Sequence, residues 1–126
     1  MRDEQVRRYA RHILLPDVGG LGQTALMVAS ARVTVDGEPS AALLAATFLA
    51  AGGVGSLVVH GANEAQRAGL AAHGPDTQIT DRGDAKELEL AEIPAWWPGA
   101  EGDATALAFW RGAAAATRWM SAIANR

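Results

Sequence analysis

The chain has 126 residues, enough for one domain whose core needs neither disulfides nor a structural metal, and alanine and glycine make up a third of it, which favours close packing of small side chains. Cysteine is absent, so a thiolate nucleophile, a thioester intermediate, a Cys-ligated zinc and a disulfide framework are excluded together. A formal net charge of −3 gives no general drive toward phosphate backbones or anionic lipid, so neither nucleic acid nor membrane is expected as a partner.

The start, Met1-Arg2-Asp3-Glu4, lacks the apolar run and small-residue cleavage site of a secretory signal. The longest apolar stretch, residues 41–51, is far short of the roughly 20 residues that span a bilayer. A soluble, cytoplasmic protein is expected.

Residues 3–15 read as a helix, because Val6, Tyr9, Ala10, Ile13 and Leu14 recur at helical spacing, and Pro16 with Gly19-Gly20 closes the segment. After a loop, a short helix over 23–30 leads into a β-branched strand over 31–35. Ser40 can cap a helix over 41–51 that is apolar almost all round and therefore expected to be buried, with Gly52-Gly53 to stop it. Gly55 introduces residues 56–60, whose Leu57-Val58-Val59 run suits a strand covered on both faces. Strand, buried helix, strand is a βαβ unit and predicts a small parallel sheet.

The second half repeats the alternation with a helix over 64–72, a turn at Gly74-Pro75-Asp76 and a polar strand over 77–80. Residues 81–103 are acidic and proline-punctuated, mostly loop with a strand over 87–90, and carry Trp96-Trp97 between Pro94 and Pro98. A long helix over 104–124 ends the chain, and its small residues at 112–116 allow it to lie very close to a neighbour. One domain is expected over 1–126, with N-terminal helices (1–30), a βαβ core with loops (31–103) and a C-terminal helix (104–126).

Four stretches carry a family likeness. Arg8-Tyr9-Ala10-Arg11-His12 has an R-Y-x-R core, and Gly22-Gln23 through Leu26 reads G-Q-x-x-L. Residues 48–57 read F-L-A-A-G-G-V-G-S-L, and His73-Gly74-Pro75-Asp76 places a P-D turn before a strand. Together these resemble the ThiF/MoeB/HesA family, the adenylating enzymes that activate the C-terminus of ubiquitin-like and sulfur-carrier proteins. The likeness is strongest over residues 8–59. It implies α/β architecture, a small Rossmann-like three-layer domain with a mostly parallel sheet, preceded by an N-terminal helical segment.

The departures from that family bear on function. Its G-x-G-G-x-G loop, whose bare N–H groups and following helix N-terminus receive nucleotide phosphates, falls on Gly37, Glu38, Pro39, Ser40, Ala41 and Ala42. One glycine of it survives. Pro39 removes a donor, Glu38 sets a carboxylate where polyphosphate would lie, and Ser40 and Ala42 add β-carbons at positions of close approach. The family's acidic pair at the end of the next strand, one carboxylate for the ribose and one near the metal, falls on Gly61 and Asn63. ATP binding is therefore not expected, and neither is any other cofactor or a metal.

The resemblance implies one surviving functional group. In these dimeric enzymes the second arginine of R-Y-x-R reaches into the nucleotide site of the other subunit, and by position that residue is Arg11, whose permanently charged guanidinium can grip phosphate bidentately. The candidate partner-binding set is Arg8, Tyr9, Arg11, Trp96 and Trp97. His12, His60 and His73 have no metal-ligand spacing, and Ser40 and Ser56 have no nucleophile-elbow context.

The expected function is that of a catalytically degenerate, ThiF-like pseudoenzyme acting by association. It would be a homodimer, or the nonadenylating half of a heterodimer with a ThiF-like protein that serves a ubiquitin-like or sulfur-carrier protein. The alternatives are a noncatalytic protein-binding adaptor and an enzyme that still adenylates through a remodelled 37–42 loop.

Overall fold

A computed structural model describes residues 1–10, 12, 18–96 and 102–125 of the chain. The elements, in order, are α1 (Asp3–Arg8), α2 (Gly19–Val28), β1 (Ser30–Thr34), α3 (Ala41–Ala51), β2 (Ser56–His60), α4 (Glu64–His73), β3 (Gln78–Thr80) and α5 (Ala104–Ala124). The three strands form one parallel sheet in the order β1-β2-β3, with Ser30 opposite Ser56 and Leu57 opposite Ile79. The fold is the small Rossmann-like α/β type expected, with its helical segment at the N-terminus.

Alanine explains the tight central packing. In α3 Ala41, Ala42, Ala45, Ala46, Leu49 and Ala50 are all buried, and the helix lies on β1 and β2 with α4 beside it. Ser40 caps it by accepting from the Leu43 N–H at 3.1 Å, and the expected bounds hold at both ends. Helix α5 packs across α3 and α2. The crossing is close because Gly112 has no side chain: a β-carbon there would sit 2.5 Å from the Ala41 carbonyl oxygen. Leu49, Leu57, Val59 and Leu70 fill the space between helices and sheet, each worth about 1.5–3 kcal/mol of burial.

The sheet has two unlike faces. Ala31, Val33, Leu57 and Val59 point into the helical layer and are buried. On the other face Ser30, Arg32, Thr34, Ser56, His60 and Gln78 are exposed or half-exposed, and Ser56 Oγ donates to Ser30 Oγ at 2.8 Å. At the centre of that face Val58 is buried, with Gly83 of the chain after β3 lying against it, so β2 is covered on both faces as its Leu57-Val58-Val59 run implies.

Several boundaries differ from expectation. Helix α1 stops at Arg8 with Tyr9 as its C-cap; Ala10 and His12 are helical, while Arg11 and residues 13–17 lie outside the described residues. Helix α2 begins at Gly19 rather than at residue 23, so Gly19, Gly20 and Gly22 lie inside the helix and do not break it, and of the three only Gly22 packs against a neighbour. Gly22 lies against Ala124 at a distance that leaves a β-carbon 3.0 Å from the alanine methyl, which offsets glycine's helix penalty of about 1 kcal/mol. The same helix ends at Val28 because Ser30 already pairs with Ser56 in the sheet. The strand expected over 87–90 is a single parallel bridge, Arg32 to Glu87.

Candidate functional site

The motif residues converge, but at the end of the sheet where the strands begin. Tyr9 is 2% exposed and donates its hydroxyl to Asp76 Oδ2 at 2.7 Å. Arg8 forms an ion pair with the same carboxylate, and Arg2 Nη2 reaches Asp76 Oδ1 at 3.2 Å. Fully buried Gln23 donates from Nε2 to the Gly52 carbonyl at 2.9 Å, and its Oε1 lies 2.9 Å from His12 Nδ1. Gly53, at φ +82°, completes the nest: a β-carbon there would collide with the Tyr9 ring and the Gln23 amide.

Electrostatics follow from this packing. Burial drives the Tyr9 hydroxyl up to about 12, and its bond to the Asp76 carboxylate adds to the shift. Burial also works to raise Asp76, but hydrogen bonds from Tyr9, Arg8 and Gln5 outweigh it and hold the carboxyl below its usual range. The Arg8 guanidinium is raised in turn by its bond to Asp76. Of the residues expected to bind a partner, Tyr9 is buried, and Arg8, partly exposed, is paired with Asp76. Asp76 and Gln23 are the residues that sequence reasoning left without a role, because neither sits in a spacing pattern that reveals its partner.

Ligand sites in open parallel sheets lie at the opposite end, outside the carboxyl ends of the strands where strand order reverses. Here that point is beside β1: β2 pairs on one edge, and the chain at Lys86–Leu88 runs parallel along the other. A cleft of about 350 Å³ opens there, lined by Asp36, Pro39, Ala41, Leu90, Ile93 and Arg111.

The loop that borders this cleft is committed to its own fold. Gly37 turns it at φ +66°, and Ser40 Oγ accepts from Leu43 N. Glu38 Oε1 accepts from Gln66 Nε2 at 3.3 Å, fastening the loop to the start of α4. Ser40, Ala41 and Ala42 are buried. Gly61 lies against the Val35 carbonyl, and Asn63 caps α4 by accepting from Gln66 N at 2.8 Å. Arg111 Nε donates to the Ala91 carbonyl at 3.0 Å.

The remaining candidates are dispersed. His60 ends β2, and His73 ends α4. Among the described residues no three His, Asp or Glu side chains are grouped to hold a metal ion. Trp96 is 81% exposed, whereas Trp97 lies outside the described residues. Trp119 packs against the core, and Phe109 meets Phe48 edge to face with ring centroids 5.6 Å apart. No described helix is long and apolar enough to cross a membrane. No protein-family model matches the chain, and no curated protein matches it.

Proposed function

We propose that this chain is a nonadenylating relative of the ThiF/MoeB/HesA enzymes that works in the cytoplasm by association, with a second copy of itself or with a complete adenylating subunit. The observation that carries this reading is the turn between β1 and α3. Where a phosphate loop offers unengaged N–H groups, this turn has a proline, a cap closed by its own Ser40, and a carboxylate fastened by Gln66. Support for the family comes from the meeting of its sequence motifs: Tyr9, Gln23, Gly52-Gly53 and Asp76 form one cluster.

Association is favoured by α2. Leu21 and Val28 lie two turns apart on one helix face and are 91% and 82% exposed, apolar groups that gain by meeting a partner. Arg11, which precedes α2 in the sequence, in a heterodimer supplies a guanidinium to the ATP site of the adenylating subunit.

Titration of the purified protein with Mg-ATP in a calorimeter is expected to give no heat; micromolar binding overturns the nonadenylating reading. Sedimentation of the wild type is expected to show an assembly that Leu21→Glu dissociates. If Leu21→Glu changes neither the sedimentation nor the set of copurifying proteins, association through α2 is wrong.

A further inference from the structure

We propose that the free edge of the sheet at residues 86–90 is a docking groove for an extended segment of another protein, one that alternates basic and apolar side chains and joins the sheet as an added strand. The backbone geometry establishes the open edge. Arg32 N donates to the Lys86 carbonyl at 3.1 Å, and Leu88 N donates to the Arg32 carbonyl at 2.8 Å. The Lys86 carbonyl and the Leu88 N–H therefore face β1, and the bridge geometry turns the Glu87 N–H and carbonyl away from it; an extended run onward from Leu88 turns those of Glu89 the same way. Among the described residues those outward groups have no backbone partner. An unpaired edge of this kind is a template for another strand.

Beside the edge runs a groove of about 660 Å³, bounded by Leu88 and Leu90 on the strand side and by Arg118, Trp119, Ala122 and Ile123 of α5 on the other. The walls specify the incoming side chains. On the helical side the groove is largely apolar, with half-buried Trp119 and buried Ile123. On the open side the nearest cross-strand neighbours are Glu87 and, by alternation, Glu89. Glu87 is already bound to Arg32 at 2.8 Å, and exposed Glu89 has no ion pair among the described residues. Cross-strand positions reward opposite charges and penalise like ones. A segment with lysine or arginine over the glutamates and valine, leucine or isoleucine over Trp119 meets both walls. A second copy does not fit, because antiparallel pairing of two such edges brings Glu87 and Glu89 against their own counterparts.

The test uses the whole chain and an eight-residue peptide of alternating lysine and valine, blocked at both ends. Its controls are a peptide with the same residues in two blocks and an alternating glutamate–valine peptide. The alternating basic peptide is expected to bind at least tenfold more tightly than either control and to slow hydrogen exchange at the Glu87 and Glu89 amides. Glu89→Lys, at an exposed position, is expected to weaken binding at least tenfold, and Ala122→Trp to block it by filling the groove. Equal binding of the blocked-sequence peptide, unchanged exchange at residues 87 and 89, or indifference to both substitutions overturns the proposal. So does protection of those amides in dilute protein without peptide, which assigns the edge to a second copy.

Discussion

The hydroxyl of Tyr9 and the carboxylate of Asp76, 67 residues apart in sequence, share a 2.7 Å hydrogen bond that pins the N-terminal segment to the turn before β3. Tyr9 is the single tyrosine of the chain. That makes its ionisation directly readable by ultraviolet absorbance without a probe.

The folded protein is expected to titrate its phenol near 12, and the urea-unfolded protein near the ordinary 10. Because the folded value is the higher one, the stability linked to this group is complete below pH 10 and is lost as pH rises toward 12. Tyr9→Phe is expected to abolish the absorbance step and that part of the alkaline loss. A folded-state midpoint near 10 contradicts the burial described.

Asp76 carries the opposite sign. Its folded value is depressed, so its contribution is present above the ordinary aspartate range near 4 and is lost as pH falls through the folded value. Asp76→Asn should lower stability at pH 7 by about 1–3 kcal/mol, since it weakens a network that holds a buried phenol. Urea unfolding at pH 7 and pH 3 checks both points: the difference between variant and wild type shrinks at the lower pH.

The crossing of α3 and α5 predicts unequal effects for two helical glycine substitutions. Gly112→Ala places a methyl 2.5 Å from the Ala41 carbonyl and should cost about 1–3 kcal/mol or displace the helix. Gly69→Ala in α4 meets nothing within 4 Å and should stabilise by about 0.4–1 kcal/mol. Denaturant midpoints shifting in opposite directions are the expected result.

Ser40→Ala removes the cap of α3 and leaves the half-buried Leu43 N–H without its acceptor, at a cost of about 1 kcal/mol. On the nonadenylating reading proposed above, the same variant should give no heat with Mg-ATP, because Pro39 and Glu38 still occupy the turn. Thermal melting and calorimetry on one sample distinguish loss of a cap from gain of a phosphate site.

Local signals made the first βαβ unit readable. Ser40, the apolar run of α3 and Gly52-Gly53 act over one or two turns of chain, so those bounds match the structure. Gly22 misled because its worth depends on Ala124, a hundred residues away, and no local rule registers that contact. The same limit hid Asp76 and Gln23: each is one polar residue in a turn or helix until the fold supplies Tyr9 or the Gly52 carbonyl. The strand expected over 87–90 shrank to one bridge because pairing needs a neighbour on each residue, and β1 offers one only at Arg32.

By its position the Tyr9–Asp76 bond is expected to divide the molecule into units that open separately. Segments held by few buried contacts exchange and detach at free energies well below global unfolding. The first ten residues reach the domain through Tyr9 and its neighbours, whereas β1, α3 and β2 are joined by a continuous core. Proton uptake by one carboxylate therefore loosens an arm and leaves the sheet intact, so brief acid exposure should make that arm the first segment cut by protease.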